Sequence, residues 1–144
     1  DALLAMNATY GVYHGARLDY CALHQGGILP NQLGTAVPVD RDSPLNARAI
    51  NSGEGIDIYV TWKGKPLADA KVKLYCEDGH EEGEATTNAA GKVSFNQGQV
   101  EAGLNGIMVG HNVKGESGQV DGQEYGSVSH YLTLTFFDPD SDQR

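Results

Sequence analysis

Residues 55–62, GIDIYVTW, alternate apolar and polar side chains, and this alternation decides the fold of the 144-residue chain. The apolar set is Ile56, Ile58, Val60 and Trp62. Because successive side chains of a strand point to opposite faces, a period of two predicts a strand with one buried face. The pattern recurs in AKVKLYC (70–76), GKVSF (91–95), GIMVGHNV (106–113) and SVSHYLTLTF (127–136). With no helical periodicity between these strands, the sequence predicts an all-β, immunoglobulin-like antiparallel β-sandwich over residues 51–137.

The segments outside this region have weaker patterns. Residues 1–50 are predicted to form an extended N-terminal arm that holds one short helix at 2–8 and one strand at about 10–20. Two alternatives stay open for this arm: it folds against its own domain, or it pairs with neighbouring copies of the chain. EDGHEEGE (77–84) is predicted to be a charged loop, and residues 138–144 to be an acidic, solvated tail.

Charge and hydropathy exclude two classes of partner. Ten basic and 19 acidic residues give a formal net charge of −9, which repels nucleic acid. No window approaches the roughly 20 apolar residues that a membrane-spanning helix needs. The sequence therefore predicts a single folded domain with no nucleic-acid partner and no membrane span.

The chain has two cysteines, Cys21 and Cys76, which are too far apart in sequence for a CxxC motif. They allow one disulfide, which would suit an oxidising compartment such as the periplasm or the extracellular space. The alternative is a pair of buried thiols.

The last two predicted strands each carry a histidine on the apolar face. If they pair antiparallel with Val113 opposite Val128, then His111 lies opposite His130. Directly opposed side chains have Cβ atoms about 4.5–5.5 Å apart, which is close enough for two imidazoles to share one metal ion. Neutral imidazole suits nickel, cobalt, zinc and copper, so His111 and His130 are the first candidate metal ligands.

Stable transition-metal sites generally need a third or fourth ligand. His80 in the acidic segment is the next candidate, and Cys76, His14 and His24 are further ones. None of them has a diagnostic spacing. The structural alternative is that His111 and His130 are rim residues that pack and form hydrogen bonds without a metal.

Two stretches carry a resemblance to known proteins: residues 57–113, with GKPLADAKV and TTNAAGKVSF, and residues 121–136, DGQEYGSVSHYLTLTF. Together they resemble the C-terminal immunoglobulin-like half of a bacterial periplasmic family associated with nickel and cobalt uptake. GKPLADAKV and TTNAAGKVSF are also typical of transthyretin-like and collagen-adhesin B-type sandwich modules. The resemblance covers residues 55–137.

The resemblance implies a secreted or periplasmic protein without enzymatic activity that assists transition-metal uptake, with His111 and His130 as the positions that carry over. The absence of nucleophile, phosphate-binding and zinc-protease motifs agrees with a non-enzyme. The rival hypothesis is a structural or interaction module, such as a surface-filament or large-complex subunit, that forms a homo-oligomer or larger assembly through residues 1–50.

Overall fold

The structure, a computed structural model, describes residues 3–27, 29–31 and 43–138. It is all-β, as the sequence predicts, and its strands form two sheets packed face to face. The strands are β1 (Leu3–Tyr13), β2 (Ala16–Gln25), β3 (Leu45–Asn51), β4 (Gly55–Trp62), β5 (Lys65–Pro66), β6 (Lys71–Cys76), β7 (Glu81–Thr86), β8 (Lys92–Asn96), β9 (Gly103–Val120) and β10 (Gln123–Asp138).

One sheet has six strands in the order β1-β2-β10-β9-β6-β7. The other has β3, β5 and β8 arranged around β4. The core lies between the sheets and consists mainly of the inward side chains that the alternation predicts, together with Leu45, Ala47 and Ala49 of β3. Its fully buried members include Ile56, Ile58, Val60, Val72, Leu74, Ile107, Leu132, Leu134 and Phe136. Burying these large aliphatic and aromatic groups is the main force that holds the sheets together.

The register predicted for the last two strands is confirmed. β9 and β10 pair antiparallel with Val113 opposite Val128 and His111 opposite His130. This hairpin lies at the centre of the six-stranded sheet. Its inward face therefore forms one wall of the core, and the two histidines are at the end of that wall.

The N-terminal region differs from its prediction. The short helix expected at residues 2–8 is wrong for the described residues, because residues 3–13 form β1. β1 and β2 make a hairpin, and β2 pairs in parallel with β10, so this hairpin completes the six-stranded sheet. Pairing with a neighbouring strand has overridden the helical propensity of the Ala- and Leu-rich start.

Two predicted irregular segments also change. The acidic segment 77–84 is not a loop throughout, since its second half belongs to β7, which pairs with β6. Asp138, predicted to be the first residue of a solvated tail, ends β10 and is 1% exposed. Residues 139–144, and residues 32–42 before β3, lie outside the described residues.

The structure does not contain the disulfide that was one of the two alternatives for the cysteines. Cys21 and Cys76 are buried thiols on β2 and β6. β10 and β9 separate these strands by about 14 Å, and Cys76 lies four residues further along the sheet than Cys21, whereas disulfide Cα atoms lie within about 7 Å. The described residues also include no helix long and apolar enough to cross a membrane.

The turn before β8 needs a glycine. Gly91 has φ of +73° and donates its N–H to the Asn88 carbonyl at 2.9 Å. Its carbonyl accepts the Val60 N–H at 2.8 Å, which brings its backbone against β4. A Cβ atom at position 91 would lie 2.4 Å from the Val60 carbonyl oxygen. The turn is therefore held by a contact as well as by its dihedral angle.

We predict that Gly91→Ala destabilises the protein more than Gly64→Ala does. Gly64 has φ of +83° and open space around its Cβ position, so alanine there adds only the left-handed penalty of about 1–2 kcal/mol. Alanine at position 91 adds the steric clash to that penalty. Urea unfolding of both variants measures the difference. Equal losses of stability would show that the approach to Val60 does not constrain the turn.

Candidate functional site

Four strands of the large sheet place a polar row at one end of the core. The row runs from His111 on β9 to His130 on β10, Asp19 on β2 and Thr9 on β1, each paired with the next. Because paired residues share a face of the sheet, all four side chains belong to the inward face. We call this set the histidine row.

Trp62 covers the histidine row from the opposite sheet. It is the last residue of β4 and continues the inward series of that strand. The indole lies 4.6 Å from the His111 ring and 4.8 Å from the His130 ring, measured between ring centroids. Both imidazoles therefore pack on one indole. This contact explains why two apolar strands carry histidine at the place where the core meets solvent.

Burial sets the charge state of both imidazoles. It lowers the pKa of His111 below the usual 6.5. It also lowers the pKa of His130, which is 8% exposed, although the nearby Asp19 carboxylate acts in the opposite direction. Because both pKa values are lowered, the His111 and His130 imidazoles are neutral at pH 7. The Nε2 atom of His130 is buried and has no hydrogen-bond partner within the described part of the chain.

Asp19 is held mainly by residues other than His130. Arg17 donates two hydrogen bonds to its carboxylate, from Nε at 3.1 Å and from an Nη at 2.8 Å, and Thr9 donates a third at 2.9 Å. The Nδ1 atom of His130 lies 3.9 Å from the same carboxylate. Arg17 also donates to the Tyr125 hydroxyl at 2.9 Å. The carboxylate is thus already engaged, which makes it a poor third metal ligand.

A recess of about 340 Å³ opens beside the row. Its lining includes Arg17, Asp19, Trp62, Lys63, Glu116 and His130. Charges of both signs and one aromatic face surround this space. Such a lining suits a small polar molecule, but nothing in it selects one.

The structure separates the predicted metal ligands. His80 follows β6 at the end where Cys76 pairs with Asn105, and His111 lies six residues further along β9, roughly 20 Å away. His14 is in the turn between β1 and β2, next to the Tyr13 ring. The Nδ1 atom of His24 lies 2.8 Å from the Thr135 hydroxyl. The metal hypothesis for His111 and His130 thus gains no third ligand from these residues.

Among the described residues, one group of three candidate metal ligands has all its ligand atoms within 4.8 Å of one another. It consists of Cys76, His80 and Glu82. The sequence indicated His80 and Cys76 as candidates but not their association with Glu82. The short CEDGHEE spacing could have suggested it, because a tight turn brings such residues together.

Sequence reasoning also missed the residues that surround the two histidines. Asp19 and Arg17 come beside His130 only through the parallel β2–β10 pairing. Trp62 could have been placed there, since its inward position was predictable and it ends its strand at the rim.

Comparisons of the chain with protein-family models, with curated protein sequences and with solved structures found no match. The similarity to the nickel and cobalt uptake family therefore stays a prediction.

We predict that the fluorescence of Trp62, the single tryptophan, changes with a midpoint below pH 6.5. Protonating an imidazole that touches the indole alters its emission, and burial delays that protonation to lower pH. A fluorescence titration between about pH 7.5 and 5 measures the midpoint. The His111→Gln/His130→Gln double variant is the control and should lack the transition. An unchanged titration in this variant would contradict the packing of the histidine row on Trp62.

The same two histidines should make the protein less stable in mild acid. Since their folded-state pKa values lie below 6.5, the unfolded chain binds protons first as the pH falls. The free energy of unfolding is then undiminished above pH 6.5 and decreases below it. Urea unfolding at several pH values should show a shallower decrease for the double variant than for the wild type. A wild-type stability that rises on acidification through this range would refute the assignment.

Proposed function

We propose that this chain is a non-enzymatic β-sandwich interaction module and that two copies associate by pairing their β1 strands. The observation that supports this most directly is the state of β1, an 11-residue strand at the edge of the large sheet. Residues 4–10 are all exposed. An exposed edge strand presents unpaired backbone N–H and C=O groups that a further strand can satisfy.

The side chains of β1 also favour association. Leu4, Met6 and Tyr10 are 67%, 72% and 79% exposed. Natural edge strands are usually protected by charged residues or proline, but residues 3–13, LLAMNATYGVY, contain neither. The single irregularity is a bulge between Thr9 and Gly11. A regular segment of seven residues, 3–9, remains for pairing.

Charge indicates a second copy as the occupant. Each chain has a net charge of −9, so two copies repel each other over most of their surfaces. β1 contains no charged residue and is a place where two copies can meet without placing like charges together. Antiparallel β1–β1 pairing would use the same surface on both copies, as in a closed two-fold dimer.

The opposite edge of the sheet is a poorer partner for β1. β7 carries Glu81, Glu82 and Glu84 within six residues. Lys73 lies 3.7 Å from Glu81 and 3.9 Å from Glu84, and these ion pairs keep charged side chains along that edge. Joining β1 to β7 would bury these charges against apolar residues. A closed β1–β1 dimer is therefore favoured over an open chain of copies.

The outer face of the large sheet extends the apolar surface inward from β1. Tyr10 contacts Tyr20 edge-on, and Tyr20 stacks on Tyr131 with 5.4 Å between ring centroids. In another row, Met6 lies opposite Ala22, which is followed by Thr133 and then Met108. Pairing of two β1 strands would bring the exposed tyrosines and methionines of both outer faces onto one surface.

Met6→Lys tests the proposal. A lysine at this position places one positive charge from each copy near the junction, and we expect the dimer dissociation constant to rise at least about tenfold. Sedimentation velocity at several protein concentrations measures it. Deleting residues 1–25 is a poorer test, because it also removes Cys21 and Leu23 from the core.

Met108→Lys is the matched control. Met108 is an exposed methionine in the same row of the same face, 45% exposed, but it lies on the central strand β9. This variant should dimerise like the wild type if the edge of β1 is the contact. A wild type that is monomeric at all concentrations, or a Met108→Lys protein that dissociates while Met6→Lys does not, would overturn the proposal.

A further inference from the structure

We propose that Cys76, His80 and Glu82 form a binding site for a divalent transition-metal ion of borderline softness, such as Zn²⁺ or Co²⁺. Their ligand atoms, a thiol sulfur, an imidazole nitrogen and a carboxylate oxygen, all lie within 4.8 Å of one another. Ligand atoms of a tetrahedral zinc ion are about 3.5 Å apart. Rotation of the exposed His80 side chain can close the remaining gap.

The turn after β6 positions the first two ligands. Gly79 donates its N–H to the Cys76 carbonyl at 2.9 Å, and Cys76 donates its N–H to the His80 carbonyl at 3.1 Å. Gly79 has φ of +83°, which lets the chain reverse within these residues. The thiolate is the form of cysteine that binds metal.

A bulge in β7 supplies the third ligand. Leu74 pairs with Gly83 while Tyr75 pairs with Glu81, which leaves Glu82 as the extra residue. Bulges redirect side chains, and this one separates the glutamates of the strand. Glu81 and Glu84 form ion pairs with Lys73 at 3.7 and 3.9 Å, whereas the carboxylate of Glu82 lies next to the Cys76 sulfur. The bulge thus places Glu82 beside Cys76.

A buried oxygen beside Cys76 is a second, independent indication of a ligand. Asn105 lies directly opposite Cys76 on β9 and is 1% exposed. Its amide nitrogen donates to the Glu101 carbonyl at 2.7 Å, but its Oδ1 has no hydrogen-bond partner among the described residues. A buried polar atom without a partner is costly. A hydrated cation next to Cys76 would give this oxygen a donor.

The chemistry of the donors indicates the class of metal. Thiolate and imidazole select zinc-like ions over magnesium or calcium, which prefer oxygen ligands. A metal ion that binds Cys76 displaces the thiol proton, in the exchange Cys–SH + M²⁺ → Cys–S–M⁺ + H⁺, and the proton passes to solvent. Three protein ligands leave a fourth position for water.

Titration of the reduced protein with Co²⁺ alone tests the site. Co²⁺ bound to a thiolate absorbs in the near ultraviolet, and tetrahedral Co²⁺ absorbs in the visible. We expect one Co²⁺ per chain with both bands, and displacement by Zn²⁺. Cys76→Ser should abolish the ultraviolet band, and His80→Gln and Glu82→Gln should weaken binding at least about tenfold.

Three controls separate this site from other candidates. Cys21→Ser removes the second thiol, His14→Gln removes a histidine from another hairpin turn, and the His111→Gln/His130→Gln double variant removes the histidine row. Each should bind Co²⁺ like the wild type. Because His80 is exposed, His80→Gln remains informative if Cys76→Ser fails to fold. Absence of the ultraviolet band in the wild type, undiminished binding by His80→Gln, or loss of binding in the double variant would overturn the proposal.

Discussion

The antiparallel pairing of β9 with β10 is the interaction on which the rest of the structure depends. Fifteen residue pairs join these strands, and their register decides which side chains face the core. Because side chains alternate with a period of two, a slip of one residue would turn Leu132, Leu134 and Phe136 outward. β6 pairs with the other side of β9, and β2 pairs with the other side of β10. The register of β9 with β10 therefore also sets how the two halves of the large sheet are aligned.

The register also determines which polar side chains lie at the two ends of the core. At one end it sets His111 beside His130 under Trp62, where packing and burial keep the imidazoles neutral. At the other end Asn105, on the same face of β9, lies beside Cys76. At the first end the Trp62 ring covers the two imidazoles, and Asp19 forms an ion pair with Arg17 at 2.8 Å. The second end adjoins the ligand atoms of Cys76, His80 and Glu82, which lie within 4.8 Å of one another.

Local alternation was sufficient to predict β4, β6, β8, β9 and β10, which form most of the core, and the pairing of His111 with His130, but not β3, which adds Leu45, Ala47 and Ala49. These features depend on neighbouring residues and on a hairpin, so a short window of sequence contains them. The N-terminal strands were harder to predict, because β1 has little buried surface to impose a period of two. The residues that surround His130 could not be predicted from a short window of sequence. Asp19 lies beside His130 only because β2 pairs in parallel with β10, which is more than a hundred residues away in sequence. The cluster at Cys76 depends on a bulge that alternation does not encode.

The parallel pairing of β2 with β10 has a consequence for folding. His24 and Thr135, which contact each other across these strands, are 111 residues apart in sequence. Contacts of such separation close large loops and slow the folding of β proteins. During synthesis the β1–β2 hairpin leaves the ribosome before β10, and β2 cannot pair with β10 until that strand has been made. The side of β2 that pairs with β10, and the core side chains Cys21 and Leu23, therefore stay exposed on the nascent chain until β10 has been made, the period in which a chaperone would have its best access to them.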